Sequence, residues 1–257
     1  MATKLKRCAG VLTSALLRMP FGEVRGRNAL RNHRPDMQIG NRSALGLSQF
    51  SNAQSLVYNR IARTKRIMIA AQKVYAMLGN ESLWETAVRC HELLQQANLP
   101  YAICGGVAVC LHGYQRNTTD IDMVIQAQDS HQVKELLLQA GFEWDEVAKE
   151  FQSPGGIAVQ FLLSGTRAGK GAEVTIAEPI GELNVEQLEG VSVVRLSRLI
   201  EMKLACGMGS LRRTHKDFAD VVELIAVRQL DSSFARYLHK SLRQTFKQLV
   251  HSAQSED

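Results

Sequence analysis

Two carboxylates, Asp120 and Asp122, stand two residues apart at the head of an apolar run, Asp120-Ile121-Asp122-Met123-Val124-Ile125. On a β-strand, residues i and i+2 point to the same face, so the two acids converge while Ile121 turns into the core. Converged carboxylates repel each other, and a divalent cation relieves the repulsion. An all-oxygen pair suits Mg2+, or Mn2+ in its place. Upstream, the apolar stretch Tyr101 to Cys104 runs into Gly105-Gly106, then into a helical stretch from Val107 to His112 that stops at Gly113. Glycines let a backbone approach a phosphate, and a helix start offers free N–H groups. A phosphate cradle facing a carboxylate pair is the layout expected for metal-assisted nucleotidyl transfer. Asp-x-Asp alone is common on surface loops, and a Gly-Gly turn alone means little. The specificity lies in their combination within a strand–turn–helix–strand order.

The surrounding pattern predicts the elements that must hold these groups. Ser82 is placed to cap a helix with Leu83, Ala87, Leu93 and Leu94 on one face and Glu85 at its third position, ended by Asn98-Leu99-Pro100. Tyr101 to Cys104 and Ile121 to Ile125 read as strands. Ser130 to Ala140 reads as a helix closed by Gly141, and Phe142 to Val147 as a strand. Ser153-Pro154-Gly155-Gly156 is a hairpin-type turn before the apolar strand Ile157 to Leu163. Residues 164–180 are Gly-rich and irregular, with room for one strand at Val174 to Ile176. Val191 to Val194 is followed by helices expected at about 197–206, 214–229 and 231–250. The expected fold is α+β: a mixed sheet flanked by helices, then a C-terminal helical segment.

The formal net charge of +6 misleads about partners. Residues 1–66 hold 13 of the 31 Lys/Arg but only two acids, Glu23 and Asp36, so the basicity belongs to that stretch. It reads as a disordered basic tail, as a transit-like leader, or as residues upstream of a true start at Met68. The domain division is therefore 1–66 as leader, 67–180 as α/β core and 181–257 as a helical region packed on it. No apolar run approaches the roughly 18 residues of a membrane span, so no membrane partner is expected. The five cysteines form no CxxC pair and read as small buried hydrophobes in a reducing, cytoplasmic setting. His112 reads as a helix-end residue and His215 as structural, since no second His lies at metal-ligand spacing.

The run Cys104-Gly105-Gly106, a thirteen-residue spacer, then Asp120-Ile121-Asp122-Met123 resembles the signature of the DNA polymerase β-type nucleotidyltransferase superfamily. The wider string, with "GGIAVQFLLSG" and "LSRLIEMKLACGMGSLRRTHKDFADVVELI", is similar to minimal nucleotidyltransferases of the AbiEii toxin type. The likeness spans roughly residues 83–228. It implies an NTP substrate, Mg2+ held by Asp120 and Asp122, and nucleotide contacts at Gly105, Gly106, Arg116 and Thr118. It also implies an acceptor hydroxyl on tRNA, protein or a small molecule, and an antitoxin-like partner. The family carries a third carboxylate on a later strand. Here the matching string is Val159-Gln160-Phe161-Leu162, so Gln160 stands where the acid is expected. An amide accepts a hydrogen bond but is a poor general base. Neither Glu150 nor Glu173 falls in the matching position. Lys203 and Asp217 match a Lys and a Lys/Arg-Asp pair near the family's nucleotide. Arg212, Arg213 and Lys216 form a basic cluster before Asp217, suited either to a triphosphate or acceptor contact or to a solvated helix start.

Overall fold

Why the chain forms a sheet at residue 101 and not a helix follows from composition: short β-branched and aromatic runs bounded by Gly, Pro and Asn. The computed structural model describes residues 70–255. The 1–66 leader lies outside the described residues. In chain order the helices are α1 Ala71–Met77, α2 Glu81–Gln96, α3 Gly105–Leu111, α4 Ser130–Gln139, α5 Leu196–Gly209, α6 Leu211–Arg228 and α7 Arg243–Ser255. The strands are β1 Tyr101–Cys104, β2 Asp120–Ile125, β3 Glu143–Asp145, β4 Glu150–Gln152, β5 Ala158–Leu163, β6 Val185–Leu188 and β7 Val191–Val194.

These strands make one seven-stranded mixed sheet in the order β3-β4-β5-β2-β1-β7-β6. At its centre β2 runs antiparallel to β1 and parallel to β5. The register sets Asp122 opposite Cys104 on one side and opposite Gln160 on the other. Strand β2 alternates for four residues: Asp120 and Asp122 are partly exposed, while Ile121 and Met123 are buried, and Val124 and Ile125 beyond them are buried as well. Buried side chains of this kind stabilise by roughly 1.5–3 kcal/mol each, so the register that exposes the acids is the one that buries Ile121. Helix α3 packs on β1, β2 and α5, and α2 packs on β2, β7 and α4. Helices α5 and α6 form a tight hairpin, and α7 packs back on α6.

The α+β class and the sheet-then-helices order match the pattern-based expectation. Several local expectations do not. Ser82 is not the cap of α2: the helix begins at Glu81, and Asn80 stands at the cap position without a side-chain cap bond. Its amide instead donates to Asn117 Oδ1 at 2.9 Å and to the Thr118 carbonyl at 2.8 Å. The possible strand at Val174 to Ile176 is reduced to a single bridge, Arg167 with Thr175. The stretch from 181 opens with the hairpin β6–β7, which extends the sheet, and turns helical at Leu196. The helix expected at 231–250 is two 3-10 turns, Ser232–Tyr237 and Lys240–Leu242, before α7. Asp231 caps the first of them by accepting from the Ser233 N–H, a local bond that competes with helix continuation.

Gly169 and Gly209 have a packing reason. A Cβ on Gly169 would stand 2.2 Å from the carbonyl oxygen of Ala205, and one on Gly209 would stand 2.7 Å from that of Lys170. Residues 169–170 thus lie close against the backbone of α5, where no Cβ fits at Gly169 or Gly209.

Candidate active site

The site is built from three pieces: the β1–α3 corner, strand β2, and the facing surface of α5–α6. At the corner Gly105 adopts φ +61°, the left-handed region that costs an L-residue about 1–2 kcal/mol. A Cβ there would lie 2.0 Å from Asp122 Oδ2. A Cβ on Gly106 would lie 2.7 Å from Thr118 Oγ1 and 3.1 Å from Arg116 Nη2. Both glycines are therefore required by the side chains standing on them. At seven residues α3 is two turns long. What this corner offers a ligand is backbone at close range, not a long helix dipole.

The carboxylate pair lies against this corner. Thr118 is buried and its hydroxyl donates to Asp120 Oδ1 at 2.7 Å. Burial first, and then the charge of Asp120, raise the Asp122 carboxyl to about 6. The charges of Lys203, Arg213 and Lys216 act against that rise. Such a pair is under-neutralised by the protein alone, which is the electrostatic condition a divalent cation satisfies. Among the described residues no group of three or more His, Cys, Asp or Glu comes together to hold a metal ion. Among the described residues no third acid joins Asp120 and Asp122 beside Gln160. The oxygen donors that register places together are Asp120, Asp122 and the Gln160 amide, a set suited to a hard cation that keeps several waters.

Opposite the pair, α5 and α6 present a ladder of alternating charge. Lys203 Nζ lies 3.0 Å from Asp217 Oδ1 and 2.7 Å from Asp220 Oδ2. All three residues are buried. Burial disfavours the ammonium, but the two aspartates together outweigh it and hold the Lys203 pKa above its ordinary value. Each aspartate also holds an arginine. Asp217 Oδ2 accepts from Arg213 Nε at 3.0 Å. Asp220 Oδ2 accepts from Arg116 Nη2 at 3.0 Å, and Arg116 Nε stands 2.7 Å from Asp220 Oδ1.

The structure therefore brings Gly105, Gly106, Arg116, Thr118, Asp120 and Asp122 to one corner, sets Gln160 beside Asp122, and ties Lys203, Asp217 and Arg213 into the facing ladder. Lys216 is exposed, though its charge reaches Asp122. Arg212 is exposed on the same turn of α6. Sequence reasoning missed Asp220. The signal was present: it lies three residues after Asp217, on the face of α6 that buries Val221, Leu224 and Ile225, and a buried carboxylate needs a partner. It also missed Asn80 and Asn117, which pin the loop carrying Thr118.

The remaining reactive groups have structural explanations. Burial, then Asp122, push the Cys104 thiol well up, so it remains a thiol. Cys90, Cys104 and Cys110 are buried and free, and Cys206 donates to the Ala168 carbonyl. His112 follows the last residue of α3 and is buried, with Nε2 2.8 Å from the Val194 carbonyl; burial lowers its pKa to about 4. The Nε2 position therefore carries the proton of a neutral imidazole.

Residues 87–197 match the family model of aminoglycoside-2''-adenylyltransferase. That range includes the glycine corner, both aspartates and Gln160, and stops short of Lys203. It supports a nucleotidyltransferase superfamily and gives no support to the AbiEii type in particular. No curated protein matches the chain. Among solved structures, ANT(2'')-Ia in complex with adenylyl-2''-tobramycin is 13% identical with a TM-score of 0.42, over 67% of this chain and 97% of that one. A nucleotidyltransferase-like protein from Paracoccidioides brasiliensis is 19% identical with a TM-score of 0.38, over 65% of this chain and 85% of that one.

Proposed function

We propose that this chain is a nucleotidyltransferase that moves a nucleoside monophosphate from an NTP to a hydroxyl of a small polyhydroxylated acceptor. The observation that carries this reading is the corner itself. Gly105 is held at φ +61° with the Asp122 carboxylate so close that no Cβ fits, so phosphate-approaching backbone and metal-binding carboxylate are packed as one unit. In the reaction the acceptor oxygen bonds to the α-phosphorus, the bond to the bridging oxygen breaks, and pyrophosphate leaves with its electron pair. The hydroxyl proton passes to a carboxylate or to water.

Asp120 and Asp122 would hold Mg2+ or Mn2+, which when bound neutralises phosphate charge and aligns an in-line attack. The protein's own groups do the rest. Gly105 and Gly106 admit the phosphate chain to the backbone. Thr118 orients Asp120 through its hydroxyl. Arg116 and Arg213 supply cations, and the α5–α6 ladder fixes them. The match to an aminoglycoside adenylyltransferase model favours a small aminoglycoside-like acceptor over tRNA or protein. On this reading the enzyme works in the cytoplasm, where NTP is abundant.

Gln160 supports a second reading. It stands in register with Asp122, where a third carboxylate would bind metal and polarise the attacking hydroxyl, and an amide cannot take that proton. On this reading the fold binds nucleotide with weakened turnover, as a regulatory or toxin–antitoxin-type module with an antitoxin-like partner.

Both readings expect Mg2+ with ATP, GTP, CTP or UTP to raise the melting temperature, and Asp120→Ala to abolish the rise. Only the first expects labelled nucleotide to be incorporated into an aminoglycoside panel, tRNA or protein. No stabilisation by any NTP with Mg2+ or Mn2+ overturns both.

A further inference from the structure

Asp220 is buried, and its side chain joins two parts of the site. One carboxylate oxygen, Oδ2, takes Lys203 Nζ at 2.7 Å and Arg116 Nη2 at 3.0 Å. The other, Oδ1, stands 2.7 Å from Arg116 Nε. Lys203 belongs to α5 and Asp220 to α6, but Arg116 belongs to the loop between α3 and β2. Asp220 thereby fixes a loop side chain against a rigid helical hairpin.

The position it fixes is informative. Arg116 Nη2 lies 3.1 Å from where a Cβ on Gly106 would be, so the guanidinium lies directly on the glycine corner. Its Nη1 donates to the Asn117 carbonyl at 3.0 Å. A guanidinium has five N–H donors in a planar fork. Nη2 donates to Asp220 and Nη1 to Asn117, which leaves one N–H on each terminal nitrogen; Nε is buried beside Asp220 Oδ1 and makes no hydrogen bond. The Arg116 side chain is 16% exposed, enough for those donors to meet a ligand, while the Asp220 side chain is 4% exposed and cannot meet one itself.

We infer that Asp220 is a positioning residue that holds the Arg116 guanidinium on the Gly106 corner, where its free N–H groups meet the phosphate chain of the nucleotide. This rests on the nucleotidyltransferase reading above. Lys203 is the counter-charge that makes a carboxylate affordable at this depth. It serves the nucleotide through Asp220 and Asp217, and not by direct contact.

The test measures binding of MgATP and of adenosine to the full chain by calorimetry, for wild type, Asp220→Asn, Arg116→Lys and Arg116→Lys/Asp220→Asn. Asp220→Asn keeps the size and one acceptor; Arg116→Lys keeps the charge, loses the fork and leaves the Lys203–Asp220 contact in place. A hydrogen bond to a charged group is worth about tenfold to hundredfold in affinity. Each single variant should weaken MgATP by about that factor and leave adenosine unchanged, and the double variant should be no weaker than Arg116→Lys. Where turnover is measurable, KM for the NTP should rise more than kcat falls. Equal loss for MgATP and adenosine would mark a structural role only and overturn the inference. So would additive losses in the double variant, or Arg116→Lys binding MgATP as wild type does. If Asp220→Asn does not fold, Asp220→Glu, which keeps the charge for Lys203 but shifts the carboxylate under Arg116, takes its place in the single and double variants with the same outcomes. A wild type that binds no NTP overturns the functional reading instead, so the two failures are distinguishable.

Discussion

Replacing Gly105 by Ala should damage the protein through two separable terms. The first is backbone strain: at φ +61° an L-residue costs about 1–2 kcal/mol. The second is a collision, because the new Cβ would stand 2.0 Å from Asp122 Oδ2 and 2.8 Å from Asp122 Cγ and Cβ. Relieving it forces the carboxylate off its rotamer or moves β1 from β2, an overpacking cost of about 1–3 kcal/mol. The sum is about 2–5 kcal/mol. Gly79 supplies the control, since it has φ +66° and nothing within 4 Å of its would-be Cβ. Gly79→Ala should therefore show the strain alone, about 1–2 kcal/mol. The excess in Gly105→Ala should shrink when Asp122 is also Ala, because Oδ2 and Cγ are then gone. Urea unfolding of Gly79→Ala, Gly105→Ala, Asp122→Ala and the Gly105→Ala/Asp122→Ala double variant measures this, with a coupling of about 1–3 kcal/mol expected. Gly105→Ala should also lose the melting shift given by MgATP. Equal costs for the two glycines, or a Gly105→Ala cost unchanged without the Asp122 carboxylate, would refute the packed corner.

Lys203→Met should destabilise by about 3 kcal/mol in the same unfolding assay, since it leaves Asp217 and Asp220 with only their arginines. A neutral result would mean that water reaches these carboxylates. His112 sets a pH dependence: its pKa is 6.5 when unfolded and about 4 when folded. The unfolded chain binds the proton first as pH falls, so stability drops between pH 6.5 and 4, by up to about 3 kcal/mol, and is unaffected by this group above 6.5. His112→Gln should flatten that slope, and an unchanged slope would show that His112 is not its source. Gly169→Ala should destabilise by about 2 kcal/mol or more, because the obstructing Ala205 carbonyl belongs to the backbone of α5. Gln160→Glu distinguishes the two functional readings: a large gain in nucleotide incorporation would show that the natural chain is impaired, and no gain would show that the amide is adequate.

Local pattern sufficed wherever chemistry and burial coincide on one element. Asp120 and Asp122 share a face because a strand has period two, and Ile121 and Met123 bury the other; no distant residue is needed to see this. Gly105-Gly106 between an apolar run and a helical run marks the corner for the same reason. The cap of α2 was misread because Asn80 spends its side chain on Asn117 and Thr118, which are distant in sequence. The 231–250 helix was misread because 3-10 turns and caps are weak in periodicity. Register beyond neighbouring strands is likewise invisible: only pairing with β5 sets Gln160 against Asp122. What the tertiary structure decided above all is the partner of each buried charge. Lys203, Asp217 and Asp220 lie on two helices and Arg116 on a loop about a hundred residues earlier, and burial makes each the requirement of the others. The sequence by itself determined the carboxylate pair and the glycine corner, because these follow from backbone geometry over a few residues. The ladder that steadies them follows from desolvation, which exists only once the chain has folded.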